Sequence, residues 1–581
     1  MQIQFDEIDS PEKLKQLAKE QLIDYCTWLR QFLIQKISET GGHFSSNLGV
    51  VELTVALHYI YHAPIDKLVW DVGHQSYAHK ILTKRKTKFD TIRKWNGLSG
   101  FPKMSESEYD AFGTAHSSTS ISAVLGMSVG DMIQGLDREH IAVIGDGALS
   151  AGQAFEALNN AAILNTNMTI VINDNQIGID PSQGAFGEYL NQLVENKNNF
   201  FNELGYQYFG PYDGHDVVLL TEVFEQIKSI KKPKIIHVKT MKGKGYLPAE
   251  EEQTKWHSTS KFDKLTGKNI SPSKNSLKFQ DVFGQHLLHL AELNEKVVAI
   301  TPAMVSGSSL HFMQQKFPEK VFDVGIAEQH AVTFAAGLSC SGLIPICCLY
   351  STFLQRGYDQ LIHDVALQNL HVVFAIDRAG LVGEDGATHH GVFDLAFTQT
   401  IPNLTIYCPK DEKELGNCLN YAIHHQLSPS IIRYPRGYTQ NQEITHDYDI
   451  HLNKIYEVSN PSEKIVVISI GTSFFTVENV KIKRPDLTFA HYQLMQVKPL
   501  DVEKLKEIFA FATVVMVLEE GQKIGGIGSS IGLLANELDF KVKIISMAIQ
   551  DQFVPHGSPD ELLKEVNLDE QSLILQLEKY K

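Results

Sequence analysis

Two short polar turns, each directly after an apolar run, carry residues that could do chemistry. The run IAVI ends in Gly145-Asp146-Gly147, and the run Met168–Ile172 ends in Asn173-Asp174-Asn175. The 148–172 segment between the turns is long enough for one βαβ crossover. A right-handed crossover brings both turns to the same edge of a parallel sheet, where ligands bind. One carboxylate and one amide oxygen at that edge suit Mg²⁺ bridging to a diphosphate, and the glycines let phosphates approach the backbone.

Neither turn is specific by itself, since Gly-Asp-Gly occurs in the turns of many α/β proteins. The pair at this spacing favours a metal-diphosphate site over a plain turn. A third candidate is Glu328, which follows the apolar run VFDVG and stands where a helix begins. A carboxylate there could act on a bound group, although glutamate is also favoured at the N-terminus of any surface helix.

Several longer motifs occur along the chain together with these residues. They are GGHFSSNLG (41–49), WDVGHQSYAHK (70–80), AHSSTSIS (115–122), YSTFLQRGYDQ (350–360), DRAGLVGEDGATHHG (377–391) and YPRG (434–437). Taken in this order, and with the features above, they resemble the 1-deoxy-D-xylulose-5-phosphate synthase family of transketolase-like thiamine diphosphate enzymes. The resemblance covers essentially the whole chain and implies thiamine diphosphate and Mg²⁺ as cofactors.

The resemblance also implies which residues hold the cofactors. The metal ligands would be Asp146, Asn175 and the backbone carbonyl of Ile177. Glu328 would hydrogen-bond the aminopyrimidine ring and so tune the cofactor's electronics. The other implied cofactor-binding residues are His74, Ala115, His116, Ser117, Gly145, Gly147, Ala148, Lys244, Phe353 and Arg356. For Lys244 a solvated lysine remains an alternative, and for Phe353 a core aromatic.

Two anionic substrates follow from the resemblance, pyruvate and D-glyceraldehyde 3-phosphate. Arg378 and Arg436 are the predicted phosphate clamps, because the guanidinium fork matches phosphate oxygens. The implied substrate-binding residues are Tyr350, Arg378, Asp385, Arg436 and His43. Besides Glu328, the predicted catalytic residues are histidines, which titrate near neutrality and can carry protons; they are His43, His257 and His389.

The implied reaction condenses the two substrates, releases carbon dioxide and gives 1-deoxy-D-xylulose 5-phosphate, a precursor for isoprenoid and thiamine synthesis. Other interpretations stay open. A transketolase that moves ketol units between sugar phosphates would share Asp146, Asn175 and Glu328. A pyruvate dehydrogenase first component, or a cofactor-binding scaffold without activity, is less favoured. The family also implies a homodimer.

Three α/β blocks must position these residues. They cover 1–275, 277–440 and 455–581, and polar stretches near 266–276 and 438–450 separate them. Alternating apolar runs and helical patterns predict, in each block, a mostly parallel sheet covered by helices. The resemblance makes the blocks a diphosphate- and Mg²⁺-binding domain, a pyrimidine-binding domain and a transketolase C-terminal-like domain. The glycine spacing of GGIGSSIG (525–532) is not that of a dinucleotide loop and predicts a turn that opens a helix.

The composition limits the partners. The chain has 581 residues, is 43% hydrophobic and 21% charged, and has a net charge of −16. An acidic chain has no general attraction for nucleic acid or anionic membranes. No run reaches the roughly 18 apolar residues of a membrane span, and the N-terminus lacks the apolar core of a signal peptide. The six cysteines form no CxxC pair, which predicts reduced thiols in a cytoplasmic protein.

Overall fold

The computed structural model describes residues 4–178, 180, 183–194, 197–270, 276–440, 443–449 and 451–581. The chain divides into two compact units. The first unit contains Met1–Ser273 with Gly325–Ala327, and the second contains Lys274–Val324 with Glu328–Lys581.

A five-stranded sheet forms the centre of the first unit, and all of its strand pairings are parallel. Four of its strands are largely buried, as expected of a parallel sheet covered on both faces, while the edge strand Gln207–Asp213 is mostly half-buried. A separate antiparallel pair joins Gly42–His43 to Ser258–Thr259. In spatial order, the five strands are Lys67–Trp70, His140–Gly145, Met168–Asp174, Lys234–Lys239 and Gln207–Asp213.

Helices cover both faces of this sheet. Side chains alternate between two cores, because successive strand residues point to opposite faces: Ile141 and Val143 belong to one core, Ala142 and Ile144 to the other. The longer helices of the unit are Gln21–Thr40, Val51–Ile60, Ser120–Gln134, Gly152–Ile163, Ala185–Gln192 and Val217–Ile227. Shorter helices are Pro11–Leu14, Ser45–Leu48, Tyr77–Lys80, Asp146–Leu149, Phe200–Glu203 and Leu247–Glu251.

The second unit contains two sheets. The larger has seven strands, in the order Gln496–Lys498, Thr405–Tyr407, Ser430–Pro435, Val373–Ala379, Ile344–Tyr350, Val297–Thr301 and Val321–Asp323. The other has five, in the order Ile455–Ser459, Ala490–Leu494, Ile465–Ile470, Val514–Gln522 and Lys543–Ile549. All pairings are parallel except those made by the first strand named in each sheet.

The edge of the larger sheet is completed by a segment from the third block. Gln496–Lys498 pairs antiparallel with Thr405–Tyr407. One apolar core also contains residues of both blocks, among them Ile406 and Ile431 with Ile468 and Val517. The second and third blocks therefore share both a sheet and a core.

Helices pack on both sheets of this unit. The longer ones are Phe279–Leu293, Glu328–Cys340, Glu412–His424, Ser473–Lys483, Val502–Phe511, Ile527–Glu537 and Glu570–Glu578. Shorter ones are His311–Lys316, Ser351–Leu354, Tyr358–Gln360, Asp394–Gln399 and Pro559–Glu565. Of the helices described in the chain, none combines the length and the apolar character that a membrane crossing needs. The predicted α/β architecture of mostly parallel, helix-covered sheets is confirmed.

A buried carboxylate occupies the start of one helix in the third block. The backbone N–H groups of Ile527 and Gly528 donate to the carboxylate of Glu519 at 3.0 and 2.8 Å. The prediction that GGIGSSIG is a turn opening a helix is confirmed, because the helix Ile527–Glu537 begins within it. The N–H groups that could bind a phosphate at this helix N-terminus donate instead to a carboxylate of the protein itself.

We predict that Glu519→Gln flattens the pH dependence of stability between about pH 4.5 and 7. Burial raises the pKa of Glu519 from 4.5 to about 7, although the two backbone N–H groups oppose this shift. In that window the folded protein retains a proton that the unfolded chain has released, so stability falls as the pH rises. The loss amounts to about 3 kcal/mol.

The measurement is the thermal unfolding midpoint of wild type and variant across this pH range. Glu537→Gln, which removes an exposed carboxylate from the same helix, is the control and should keep the wild-type slope. An unchanged slope in Glu519→Gln would contradict the prediction.

Candidate functional site

The ends of two neighbouring strands place the predicted metal ligands at one edge of the first sheet. Gly145 pairs directly with Asn173, so Asp146 and Asn175 follow adjacent strand ends. Asp146 is buried and begins a short helix. The amide oxygen of Asn175 accepts a hydrogen bond from the backbone N–H of Ile177 at 3.2 Å. The three predicted ligands therefore lie along the same edge.

These donors fit a hard cation. Carboxylate, amide and carbonyl oxygens suit Mg²⁺, which fills its other positions with water and phosphate oxygens. Across the part of the chain that the structure describes, no group of three or more His, Cys, Asp or Glu side chains could hold a metal ion. The predicted set has a single carboxylate, so a cation held there would depend on the oxygens of a bound diphosphate.

A buried lysine lies beside this edge. Lys242 is 3% exposed, and its Nζ donates to the carbonyl oxygen of Gly178. Burial lowers the pKa of Lys242 to about 8, while the charges of Asp146 and Asp180 oppose that change. The predicted lysine, Lys244, is only half-buried. Lys242 is absent from the predicted residues because both lysines stand in one loop, TMKGKGY, and only the backbone path distinguishes them.

Three predicted histidines lie together in the first unit. The ring centroids of His43, His74 and His257 are 5.2 to 5.9 Å apart. Burial lowers the pKa of His74 and of His257 well below the usual value, and the other histidines and Lys242 lower it further. The surroundings of both rings therefore favour the neutral form. Their Nδ1 atoms are buried and have no hydrogen-bond partner among the described residues, as expected of groups that meet a ligand.

A fully buried asparagine joins two of the histidine-bearing loops. The side-chain amide of Asn47 donates to the carbonyl oxygens of His43 and His74, both at 2.8 Å. Its oxygen accepts from the backbone N–H of Tyr77 at 2.7 Å. The GGHFSSNLG and WDVGHQSYAHK segments are thereby held at a fixed separation. Asn47 is not among the predicted site residues, because its role depends on a contact between distant parts of the chain.

The AHSSTS turn is held by a second buried polar residue. Asp71 follows the strand Lys67–Trp70, and its carboxylate accepts from the backbone N–H groups of Ser118 and Ser120 at 2.6 and 3.0 Å. The hydroxyl of Ser118 donates to the carbonyl oxygen of Ala148 at 2.7 Å. This turn therefore lies beside the one that begins at Asp146. Of the predicted residues here, Ala115, Ser117 and Ala148 are buried, and His116 and Gly147 are half-buried.

In the second unit, Glu328 is the first residue of the helix Glu328–Cys340 and is 4% exposed. Burial raises the pKa of Glu328 above its usual range, and the positive charge of Arg356 opposes the shift. Arg356 is half-buried. The structure thus brings two predicted residues together as a shielded carboxylate with a neighbouring cation.

Four predicted residues form a column in this unit. The guanidinium of Arg378 lies 4.2 Å from the ring centroid of Tyr350, which stacks on Phe353 at 5.5 Å. His389 meets Phe353 edge-on at 5.9 Å. A buried carboxylate, Asp377, pairs with Arg378, whose Nη1 also donates to the carbonyl oxygen of Gly307 at 2.9 Å.

The other predicted arginine contacts the segment that follows. Nη1 of Arg436 donates to the carbonyl oxygen of Val382 at 2.8 Å and to the carboxylate of Glu384 at 2.9 Å. The next residue, Asp385, is half-buried and precedes a short 3-10 turn that leads to His389. The structure therefore connects Arg436 to the segment that carries both of these predicted residues.

Comparisons with known proteins match most of the chain. A family model described as 1-deoxy-D-xylulose-5-phosphate synthase matches residues 5–199 and 193–240. Models of the transketolase pyrimidine-binding domain and C-terminal domain match 275–442 and 456–573.

Full-length relatives are similar to this chain. A 1-deoxy-D-xylulose-5-phosphate synthase of Cytophaga hutchinsonii is 45% identical, over 97% of this chain and 96% of that protein. One of Parabacteroides distasonis is 43% identical, over 99% and 98%. A solved transketolase of Campylobacter jejuni has a TM-score of 0.45 and 17% identity, with full coverage of both chains.

We predict that Asn47→Ala loosens both loops that Asn47 joins. The variant removes the hydrogen bonds of Asn47 to two carbonyl oxygens and one N–H, at a cost of about 1 to 3 kcal/mol for each group that stays buried and unsatisfied. Hydrogen exchange should therefore quicken in peptides covering 41–49 and 70–80. Asn47→Asp keeps the acceptor for Tyr77 but turns a buried carboxylate oxygen toward both carbonyl oxygens, so it should loosen the two loops at least as much as Asn47→Ala. Equal exchange in all three proteins would contradict this role.

Proposed function

The chain belongs to the 1-deoxy-D-xylulose-5-phosphate synthase family, and we propose that it condenses pyruvate with D-glyceraldehyde 3-phosphate, releasing carbon dioxide. The observation that carries this proposal is the similarity to synthases of that name over 97% and 99% of the chain. The product, 1-deoxy-D-xylulose 5-phosphate, would supply isoprenoid and thiamine synthesis. The relatives do not favour the alternative of a transketolase.

Thiamine diphosphate use follows from the family, and the first unit offers suitable groups. The buried Nδ1 atoms of His74 and His257 have no hydrogen-bond partner among the described residues, so a ligand could satisfy them. We propose that Asp146, Asn175 and the carbonyl of Ile177 hold Mg²⁺ against the diphosphate. Lys242 would add a positive charge beside this anion.

The cofactor supplies an electron sink for decarboxylation, and Glu328 is the residue proposed to prepare it. Its carboxyl would hydrogen-bond the pyrimidine ring nitrogen and hold a proton there. A raised pKa suits this role, because it favours the protonated carboxyl that donates such a hydrogen bond. Arg356, which opposes the shift, would set how far the pKa rises.

Groups that would orient the anionic substrates are present in the second unit. Arg378 and Arg436 are the proposed phosphate clamps, although each already has a carboxylate neighbour. They would therefore act through directed N–H donors more than through net charge. Tyr350 and Asp385 would contact the substrate, and the histidines would move protons; these are His43, His257 and His389.

The larger organisation is also proposed from the family. We propose a homodimer in the cytoplasm, with domains at 1–275, 277–440 and 455–581. The remaining predicted cofactor residues, among them Lys244, His116 and Phe353, stay proposals of the same kind.

The proposed activity predicts carbon dioxide release from pyruvate that depends on the aldehyde phosphate. Glu328→Gln should lower turnover by at least about 100-fold, because a general acid–base group is lost, while thiamine diphosphate affinity changes little. The measurement is a coupled assay with both substrates, with and without thiamine diphosphate and Mg²⁺. Glu319→Gln, at an exposed position, is the matched control. No product from the wild type would refute the activity, and full activity in Glu328→Gln would refute its role.

The proposed metal site predicts that Asp146→Asn weakens Mg²⁺-dependent binding of thiamine diphosphate by more than about tenfold. Loss of a residue that only hydrogen-bonds to a metal ligand already weakens metal binding by about tenfold, so loss of a ligand should cost more. Calorimetric titration at several Mg²⁺ concentrations measures this without any turnover. Asp137→Asn removes an exposed carboxylate and should bind like the wild type. Unchanged affinity in Asp146→Asn would exclude Asp146 as a ligand.

A further inference from the structure

Residues 381–390 form a closed loop, here named the substrate loop, between two glycines. The N–H of Gly380 donates to the carbonyl oxygen of Gly391 at 2.7 Å, and the N–H of Gly391 donates back at 2.8 Å. The loop follows directly on Arg378 and carries Asp385 and His389. These two hydrogen bonds hold the ends of the loop together. The residues between them need other contacts to hold them in a single conformation.

A carboxylate of the third block supplies part of that support. Glu520 lies in the strand Val514–Gln522, and its Oε2 accepts from the N–H of Leu381 at 3.1 Å. The neighbouring Gly380 has φ +77°, and a Cβ there would lie 2.5 Å from the same oxygen. The first turn of the substrate loop thus lies directly against the Glu520 side chain.

Contacts from a second segment of the third block reach the far part of the loop. His390 is 2% exposed; its Nδ1 accepts from the N–H of Val382 at 3.1 Å, and its Nε2 donates to the carbonyl oxygen of Pro555 at 3.0 Å. A Cβ on Gly386 would lie 2.9 Å from the Cβ of His556. The loop is therefore held both at its start and at its end.

A buried arginine joins the backbone of Glu520 to the base of the loop. Nη2 of Arg433 donates to the backbone carbonyl oxygens of Glu520 and Gly391 at 2.8 and 3.0 Å, and its Nε donates to Asp394 at 2.8 Å. Burial raises the pKa of Glu520, while the N–H of Leu381 and Arg433 oppose this change. Arg433 thus connects the Glu520 strand to the base of the loop.

We propose that Glu520 is a positioning residue for the aldehyde phosphate, acting through its hydrogen bond to the start of the substrate loop. The inference rests on the proposed function. The loop lies between the two proposed phosphate clamps, since it follows Arg378 and its Val382 carbonyl accepts from Arg436. A displaced loop would therefore impair binding of the phosphorylated aldehyde more than binding of pyruvate, which has no phosphate.

The test compares Glu520→Ala with Glu520→Gln in the holoenzyme. We expect Glu520→Ala to raise the KM for D-glyceraldehyde 3-phosphate about tenfold, as for the loss of one hydrogen bond to a charged group. The KM for pyruvate and the affinity for thiamine diphosphate should stay within about twofold. Glu520→Gln keeps an oxygen that can accept from Leu381 and should behave nearly as wild type. Hydrogen exchange of a peptide covering 381–391 should quicken only in the alanine variant.

If Glu520→Ala does not fold, His390→Phe tests the same anchoring, because it keeps a ring but loses both nitrogen contacts. It should show the same selective rise in KM. Provided that the wild type is active, three results would overturn the inference. They are an equal rise in the KM for both substrates, no rise in either KM, and a glutamine variant as impaired as the alanine variant. A wild type without aldehyde-dependent carbon dioxide release would instead overturn the proposed function, and this inference with it.

Discussion

The parallel pairing of His140–Gly145 with Met168–Asp174 is the constraint on which the first unit depends. Because the strands run in the same direction and in register, their polar turns must emerge together at one edge. The buried polar residues then follow from that geometry. Backbone groups in adjacent loops need partners once they are removed from water, and Asn47 and Asp71 provide them. Asn47 also connects two of the histidines, because its amide donates to the carbonyl oxygens of both His43 and His74.

Three arginines of the second unit are each paired with a neighbouring carboxylate. Arg378 lies beside Asp377, Arg436 beside Glu384 and Arg433 beside Asp394. A shielded guanidinium without a partner would be costly, which accounts for the pairs of Arg378 and Arg433. The pair of Arg436 with Glu384 is exposed and contributes little to stability. The arrangement gives the second unit oriented N–H donors with little excess positive charge, which agrees with a net charge of −16.

Sequence patterns predicted the local units well, and long-range contacts poorly. The βαβ unit around Asp146 is contiguous and its strands are strongly apolar, so its alternation and spacing were enough. Asn47, Asp71 and Lys242 were not predicted, although all lie inside or beside motifs that were. Lys242 and Lys244 stand two residues apart in a glycine-rich loop, yet Lys242 is buried and Lys244 is only half-buried. The backbone between and after them has positive φ at Gly243 and Gly245. Such a path is set by packing, and no local pattern records it. The roles of the predicted site residues remain predictions.

The strand Gln496–Lys498 has a consequence for how such chains can be rearranged in evolution. It completes the sheet of the preceding block from across the polar stretch at 438–450. A gene divided at that stretch would leave Thr405–Tyr407 as an open edge, and unpaired edges invite association with other chains. The polar stretch at 438–450 is therefore an unfavourable point for recombination. The second and third blocks should be inherited together.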